Sequence, residues 1–417
     1  MSKIIKTLVP WMKQRNLLLT NITHAQNCYI YNNQKKIIDF TSGQMAVNLG
    51  HNNQYIMNGI KEHLNTGISY TPPSFGTYQR EKLSSRIIDL THKKGKVFYT
   101  NAGADANETA IFIAQEYMNI NNVDKKKIIS FKKSYHGGST IASSLITGDS
   151  RRESKTKYYN MELHPILDNP NLEDNGNYSI NQIEEVFKKG DVCGILFEGS
   201  SGTAGCILYP KDYLDRLEKL CEKYNVLKIC DEVMSGWGRT GSLFAYQKYN
   251  IKPDIITTAK AITSGYIPLG AVIVNEKVSD IFEDYPIFHG LTYSGHILSC
   301  TIANKCLDLY TQNDSKIIKE VSQKKILIET YCRVIVQECK IIKDFRNHGM
   351  LGCLEINSND ISMHEKISKE LLDNGIFCLR IRNNIFIAPP LTIDYNDIIK
   401  TLMKMRNIFL EIEASMD

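Results

Sequence analysis

The feature that most constrains the fold is an alternation, from about residue 80 to 300, of short apolar runs with amphipathic stretches. The apolar runs predict strands at 97–99, 127–131, 194–198, 227–230, 255–258 and 270–275. Amphipathic spacing predicts helices at 78–90, 105–118, 179–187 and 213–223. Strands that alternate with helices form parallel βαβ units, whose sheet is covered on both faces. We therefore predict an α/β fold built on a large, mixed but mostly parallel sheet.

The two ends of the chain predict a second, smaller unit. Residues 28–31 and 36–40 are typical of a hairpin, and a helix is predicted at 54–66. After a helical zone at 300–340, strands at 352–356 and 385–388 are interleaved with helices at 362–374 and 395–413. We predict an N-terminal segment, 1–53, that joins the small domain, a large domain, 54–305, and a smaller α+β domain, 306–417.

Composition excludes several classes of protein. The net charge of +5 is small for 417 residues, and the short lysine runs form no nucleic-acid-binding module. Eleven scattered cysteines lack the spacing of a metal site and indicate reduced thiols. No apolar stretch reaches the ~18–20 residues of a membrane span, and residues 1–13 lack a signal-peptide core. We expect a cytoplasmic protein without a metal, a nucleic acid or a membrane as partner.

Lys260 is the most unusual charged residue. It follows the apolar pair Ile255-Ile256 after two threonines and an alanine, so it is expected at the end of a buried strand. Burial lowers the pKa of an amine and makes it nucleophilic. Such an amine can form a Schiff base with a carbonyl, including the aldehyde of pyridoxal phosphate. A solvated loop lysine is the ordinary alternative when the residue is considered alone.

Acidic residues end two other predicted strands. Asp231 ends an apolar run 29 residues before Lys260, which is the length of one βαβ unit. An aspartate there can pair with a protonated pyridine nitrogen. Glu198 ends another apolar run and is expected at the same edge, where ligands bind in open α/β sheets. A helix cap or a surface acid is the alternative for Asp231 taken singly.

Two turns complete the candidate site. Gly103 and Ala104 lie in a small-residue turn between a strand and a helix, whose free N–H groups could bind a phosphate. Tyr135 follows the strand that ends at Phe131 and could stack on a heteroaromatic ring. An ordinary tight turn is the alternative for Gly103 and Ala104, and a core or surface tyrosine is the alternative for Tyr135.

Taken together, these residues resemble the class III aminotransferases, enzymes that use pyridoxal 5'-phosphate (PLP) and have the aspartate aminotransferase-like fold type I. The resemblance covers nearly the whole chain. Its motifs are Asp39-Phe40-Thr41-Ser42-Gly43, Thr100-Asn101-Ala102-Gly103-Ala104-Asp105, Tyr135-His136-Gly137, Thr147-Gly148-Asp149, Asp231-Glu232-Val233, Trp237-Gly238-Arg239, Ala259-Lys260, Leu291-Thr292-Tyr293 and Ala388-Pro389-Pro390-Leu391.

The resemblance implies a role for each residue at the strand ends. Lys260 would hold PLP covalently and then carry the proton between substrate and cofactor. Asp231 would bind the pyridine nitrogen, and Glu198 would support the site near it. The reaction implied is a ping-pong transfer of an amino group from a donor to an oxo acid.

The family also implies the contacts to the rest of the cofactor. Tyr135 and Val233 would lie on the two faces of the ring. Gly103 and Ala104 would bind the phosphate through backbone N–H groups. Thr292 would reach the phosphate held by a second subunit, so the resemblance implies a homodimer with a shared active site.

Departures from the family pattern concern the substrate pocket. Met234 replaces a glutamine found in many members, and Gly199 replaces the usual proline after Glu198. Phe386 stands where ornithine-type members carry a carboxylate-binding arginine, and Arg380 and Arg382 just upstream are the alternative candidates for substrate binding.

Several motifs are most similar to the taurine–pyruvate and taurine–2-oxoglutarate branch, in which an N-terminal aromatic residue lines the pocket. Trp11 would be that residue, with Arg15 nearby. The donor implied is a small amine or ω-amino acid, and the acceptor implied is pyruvate or 2-oxoglutarate. Racemisation, aminomutation and decarboxylation use the same lysine and aspartate and stay open, as does an inactive PLP-binding relative.

Overall fold

The computed structural model describes residues 6–11, 13, 21–32, 35–153, 158 and 164–416. In these parts of the chain the strands are β1 His24–Gln26, β2 Tyr29–Tyr31, β3 Lys36–Asp39, β4 Gly95–Thr100, β5 Lys127–Phe131, β6 Ile166–Leu167, β7 Val192–Glu198, β8 Leu227–Asp231, β9 Ile255–Thr258, β10 Gly270–Asn275, β11 Ile342–His348, β12 Leu351–Ile356, β13 Ile376–Phe377, β14 Arg380–Ile381 and β15 Asn384–Ile387.

The helices of the same parts alternate with the strands of the large unit. They are α1 Ser42–Met45, α2 Gln54–Leu64, α3 Tyr78–Leu90, α4 Gly103–Ile120, α5 Ile141–Ile146, α6 Ser150–Glu153, α7 Asn177–Phe187, α8 Tyr213–Tyr224, α9 Glu276–Ser279, α10 Ile297–Glu338, α11 Ile361–Asp373 and α12 Tyr395–Ala414. A typical example is α8, which buries Leu214, Leu217 and Cys221 at helical spacing.

The central sheet has seven strands in the order β4-β10-β9-β8-β7-β5-β6. Strands β9, β8, β7, β5 and β6 pair in parallel along this order, whereas β10 is antiparallel to both β4 and β9. Every residue of β7 and β8 is buried, as expected for strands covered on both faces. The predicted large, mixed and mostly parallel sheet is confirmed.

A smaller unit carries two four-stranded sheets. One is antiparallel, in the order β11-β12-β15-β14. The other has the order β1-β2-β3-β13, in which β3 from the N-terminal segment pairs in parallel with β13 from the C-terminal part. The predicted boundary near residue 306 lies inside α10, and this helix is interrupted at Gln312, Asn313, Asp314 and Ser315 by non-helical backbone angles. The domain boundaries themselves stay a prediction.

Arg239 connects these parts of the fold. Its guanidinium is fully buried and donates through Nη2 to Ser42 Oγ at 3.2 Å and Asn48 Oδ1 at 2.6 Å. Through Nη1 it donates to the carbonyl oxygens of Met350 at 3.2 Å and Pro389 at 2.6 Å. A buried charge is tolerated only when hydrogen bonds replace its hydration. This side chain therefore fixes the N-terminal segment and the C-terminal unit against the large sheet.

Across the described ranges, none of the helices combines the length and the apolar character that a membrane crossing requires. The same residues contain no group of His, Cys, Asp and Glu side chains arranged to bind a metal ion.

Candidate active site

Lys260 follows β9 and opens a short 3-10 turn, Lys260–Ile262, at the carboxyl edge of the central sheet. Its φ of +49° is in the left-handed region, which residues other than glycine seldom adopt. Burial lowers the pKa of its amine, the nearby Asp231 and Glu198 act in the opposite direction, and Arg151 lowers it further. Burial is the largest of these effects, so the amine gives up its proton more readily than a surface lysine.

Asp231 ends β8, which pairs with β9, so the two strand ends are neighbours as predicted. Its Oδ2 accepts hydrogen bonds from Asn107 Nδ2 and His136 Nδ1, both at 2.8 Å. Its Oδ1 accepts one from the backbone N–H of Val233 at 3.0 Å. The carboxylate is buried, and these donors hold it in one orientation.

Asn107 joins three segments around that aspartate. It is buried on α4, and its Nδ2 also donates to the His136 carbonyl oxygen at 2.8 Å. Its Oδ1 accepts from Thr257 Oγ1 on β9 at 2.6 Å. A helix, a strand and the loop after β5 therefore meet at one amide.

The turn at the start of α4 packs closely against neighbouring side chains. A Cβ added to Gly103 would lie 2.9 Å from Val233 Cγ1 and 3.5 Å from Ala259 Cβ, so a larger residue would displace its neighbours. The N–H groups of a first helical turn have no partner within the helix, and the helix dipole favours an anion there.

Tyr135 is half-buried in the loop after β5 and lies against two other side chains. Arg151 Cζ is 4.1 Å from the centroid of its ring, and the ring of Trp11 is 6.4 Å away in an edge-on arrangement. Burial raises the pKa of Tyr135, while the charge of Arg151 and its hydrogen bond lower it. Arg151 is in turn held by Asp149, with 3.0 Å between Nη2 and Oδ2.

Glu198 ends β7 directly beside Asp231 in the strand register. Its Oε2 accepts the backbone N–H of Gly202 at 2.8 Å, whereas Oε1 has no partner among the residues that the structure describes. Burial raises the pKa of this carboxyl to about 7. Asp231 at the adjacent strand end also raises this pKa, whereas His136 and the backbone N–H groups of Gly202 and Thr203 lower it.

Comparison with known proteins identifies the family of this chain. The family model for class-III aminotransferases matches residues 11–409. The chain belongs to the class-III aminotransferases. It is an enzyme that transfers amino groups, and its family uses PLP. Among solved structures it is similar to a taurine:2-oxoglutarate aminotransferase from Bifidobacterium kashiwanohense in complex with PLP and glutamate, with 30% identity, a TM-score of 0.91, and coverage of 98% of this chain and 96% of the other.

Two plant enzymes illustrate the range of related sequences. Gamma aminobutyrate transaminase 3, chloroplastic, from Solanum lycopersicum is 29% identical over 92% of this chain and 79% of its own length. The vanillin aminotransferase of Capsicum chinense is 33% identical over 73% of this chain and 71% of its own length.

The residues of this class-III aminotransferase fit the cofactor of its family. PLP presents an aldehyde, a pyridine nitrogen and a phosphate. The site offers an amine with a lowered pKa at Lys260, a hydrogen-bonded carboxylate at Asp231, and a helix start at Gly103 where a Cβ would not fit.

The structure shows the following contacts for other predicted site residues of the aminotransferase. Thr292 is exposed, and its carbonyl oxygen accepts from Tyr70 Oη at 2.9 Å. The guanidinium of Arg380 donates to Ser368 Oγ at 3.0 Å and to the carbonyl oxygen of Arg382 at 2.5 Å. Arg382 is exposed in the turn between β14 and β15. Arg15 is outside the described residues.

Sequence reasoning missed several residues that complete the site of this aminotransferase. Asn107 follows Gly103 by four positions, which places both on one face of α4, so helical spacing could have indicated it. His136 is next to Tyr135 in the motif, but only the fold shows that its ring binds Asp231. Arg151 follows the Thr147-Gly148-Asp149 motif by two residues, and no local pattern predicts its contact with Tyr135.

Proposed function

We propose that this aminotransferase moves the amino group of a small amine or ω-amino acid, of the taurine or β-alanine type, to an oxo acid such as pyruvate or 2-oxoglutarate by a ping-pong mechanism. The observation that carries the proposal is the lysine with a lowered pKa beside a hydrogen-bonded aspartate at neighbouring strand ends. The names of two similar proteins, a taurine:2-oxoglutarate aminotransferase and a gamma aminobutyrate transaminase, support an ω-amino donor.

The roles proposed for the polar residues follow from their surroundings. Bound PLP supplies an electron sink for the carbon that loses its proton. Lys260 would bind the cofactor, and its Nζ would then accept and return that proton, a task suited to an amine whose pKa is lowered. Asp231 would bind the pyridine nitrogen, and its hydrogen bonds from Asn107 and His136 would prevent it from turning away.

The remaining contacts are proposed to position the cofactor. Gly103 and Ala104 would offer backbone N–H groups to the phosphate at the start of α4. Tyr135 and Val233 would contact the two faces of the ring. The contact between the Gly103 turn and Val233 supports this arrangement, since it brings the proposed phosphate and ring positions together.

We also propose a homodimer in which Thr292 serves the cofactor of the second subunit. Thr292 lies in an exposed aromatic region, since Tyr293 is 57% exposed, Tyr70 is 39% exposed, and their rings are 5.9 Å apart. Exposed aromatic side chains of this kind are typical of protein interfaces. Substrate contacts by Trp11, Arg380 and Arg382, and a cytoplasmic location, stay predictions from the sequence.

The test is an absorption spectrum of the PLP-loaded protein before and after taurine, β-alanine, putrescine and α-amino acids are added without any oxo acid. Loss of the cofactor band with an ω-amino donor, and its return on addition of pyruvate or 2-oxoglutarate, is the expected result. A band that no donor changes would contradict the proposed donors and point to a reaction without amino transfer.

The control is Lys260→Ala, which removes the proposed covalent contact and the proton carrier. We expect this variant to lack the absorption band of the lysine-bound cofactor and to show no turnover, with an unchanged circular dichroism spectrum. Normal turnover in Lys260→Ala would contradict the role of the lysine.

A further inference from the structure

Two buried cysteines meet where the loop after β7 contacts the antiparallel sheet of the smaller unit. Cys206 lies in that loop and Cys353 lies on β12, and both are free thiols with no exposed surface. Cys353 Sγ donates to the carbonyl oxygen of Gly205, the residue before Cys206, at 3.0 Å. The two thiols are within hydrogen-bonding distance of each other, and both belong to one small apolar cluster. The two sulfur atoms therefore lie side by side.

The backbone of the loop holds Cys206 in this position. Its N–H donates to the carbonyl oxygen of Gly202 at 3.1 Å, and the next N–H, of Ile207, donates to that of Ser201 at 3.1 Å. Cys206 has a φ of +55°, in the left-handed region that residues other than glycine seldom adopt. Because the turn already fixes this residue, a bond between the two sulfur atoms would cost little further conformational freedom.

A guanidinium lies beside Cys353. Arg346 Nη2 donates to Cys353 Sγ at 3.7 Å, and Arg346 Nε donates to the carbonyl oxygen of Gly205 at 2.9 Å. A neighbouring cation stabilises the thiolate, which is the form of cysteine that reacts with oxidants. The Arg346 side chain is 25% exposed, so a small oxidant can approach Cys353 along it. Cys353 is therefore expected to react before Cys206, whose pKa is raised by its hydrogen bond to Cys353 and by burial.

Other buried thiols lie beside acids. Cys28 Sγ donates to Asp397 Oδ2 at 3.9 Å, and Cys230 Sγ donates to Glu232 Oε1 at 3.8 Å. Burial and these carboxylates raise the pKa of both thiols. Since a carboxylate disfavours the thiolate, these two cysteines are expected to resist oxidation.

We propose that Cys353 and Cys206 are a redox-active pair that hydrogen peroxide converts to a disulfide, which joins the loop after β7 to β12. The Cys353 thiolate attacks one oxygen of the peroxide, an S–O bond forms, the O–O bond breaks, and the other oxygen leaves as water with the proton of that thiol. The Cys206 sulfur then attacks the Cys353 sulfur, an S–S bond forms, the S–O bond breaks, and a second water leaves with the Cys206 proton. Two thiols are oxidised, and one peroxide is reduced to two molecules of water.

The disulfide would tie a strand end of the candidate active site to the smaller unit. Gly202, four residues before Cys206, donates its N–H to Glu198 Oε2 at 2.8 Å, and Glu198 ends β7 beside Asp231. The loop that contains Cys206 therefore holds one acid of the site. With Cys206 bonded to β12, this loop should open to solvent less often.

The first test treats the intact PLP-loaded protein with hydrogen peroxide and measures its mass. The wild type should lose about 2 Da, and peptide mapping without reduction should join Cys206 to Cys353. Dithiothreitol should restore the original mass. A disulfide between other cysteines, or no mass loss in protein that keeps its circular dichroism spectrum, would overturn the proposal.

Single substitutions separate the roles of the two thiols. In Cys206→Ser the oxidised Cys353 has no thiol to react with, so this residue should gain about 16 Da in place of the disulfide. In Cys353→Ser the remaining Cys206 should gain oxygen far more slowly, and equal rates would contradict the assigned order. Cys28→Ser is the matched control, and it should form the disulfide as the wild type does.

Arg346→Gln tests the cation. Disulfide formation should slow by roughly tenfold, because a thiol without a neighbouring positive charge is ionised less at neutral pH. Lys343→Gln is the matched control, since Lys343 and Arg346 both bind Glu355, at 3.3 and 2.7 Å, but only Arg346 donates to the Cys353 sulfur. Oxidation of Arg346→Gln at the wild-type rate would overturn the activating role of the guanidinium.

The second test measures whether the disulfide restrains the loop. Hydrogen exchange of the backbone amides at 199–207 is followed by mass spectrometry, and oxidation should slow it by about threefold or more in the wild type. Cys206→Ser, treated in the same way, should show no change. A disulfide that leaves this exchange unchanged would refute the tie to the smaller unit. These readouts use no amino donor, so the redox pair and the proposed amino transfer can fail separately.

Discussion

Replacement of Glu198 by glutamine should change how the stability of this enzyme depends on pH. The carboxyl is buried, one of its oxygens has no partner among the described residues, and its pKa is raised to about 7 from an ordinary value of 4.5. The difference between these pKa values corresponds to about 3.5 kcal/mol in the free energy of unfolding, at ~1.4 kcal/mol per pKa unit. Glutamine has the same shape and no charge to bury.

The sign follows from proton binding in the two states. The folded protein holds the Glu198 proton more tightly than the unfolded chain does, so this group stabilises the wild type least at high pH. Its contribution falls as pH rises from about 4.5 through about 7. The nearby Glu232 also has its pKa raised to about 7 by burial, but it is present in both proteins and cancels in their difference.

The assay is equilibrium urea unfolding of the wild type and Glu198→Gln at pH 5 and pH 8, at one protein concentration. Between these two pH values the variant should gain about 2–3 kcal/mol in free energy of unfolding relative to the wild type. Glu185→Gln, which changes an exposed carboxylate, should show no such gain. If Glu198→Gln shows the same difference from the wild type at both pH values, the carboxyl does not hold its proton in the folded protein.

Two further perturbations address the neighbours of the site. Asn107→Ala removes the hydrogen bonds that this side chain forms with Asp231 and Thr257. It should therefore lower the free energy of unfolding by about 2–4 kcal/mol in denaturant titrations and slow the half-reaction. A wild-type free energy of unfolding together with a wild-type half-reaction rate would contradict the bridging role. Mixing Thr292→Ala with Lys260→Ala should form hybrid dimers whose activity per intact site departs from the mean of the parents, whereas strict additivity after verified subunit exchange would contradict a shared site.

The strands of the large sheet could be predicted because their apolar runs are continuous, as in β7 and β8. A continuous apolar run does not indicate whether a strand is parallel or antiparallel to its neighbours. The antiparallel placement of β10 between β4 and β9 could therefore not be predicted. The interruption of α10 was also missed. It contains no glycine or proline, and Asn313, Asp314 and Ser315 adopt left-handed angles at a point where the helical pattern continues.

The candidate site also contains some residues that the sequence could indicate and others that it could not. Lys260 and Asp231 could be proposed because each follows an apolar strand, and the carboxyl ends of parallel strands share one edge. Helical spacing from Gly103 could have indicated Asn107, but not its hydrogen bond to Asp231, which is 124 residues away in the sequence. Arg151 depends on a loop and a short helix brought against Tyr135 by the sheet. Residues that act through distant partners require the fold itself.

The buried guanidinium of Arg239 has a consequence for any attempt to recombine this enzyme with its relatives. Its four acceptors come from residues 42, 48, 350 and 389, which lie at both ends of the chain. A chimaera that exchanged only the C-terminal third would keep half of these acceptors and replace the other half with foreign backbone. A chimaera that keeps these hydrogen bonds would need to take about the first fifty and the last seventy residues from the same parent protein.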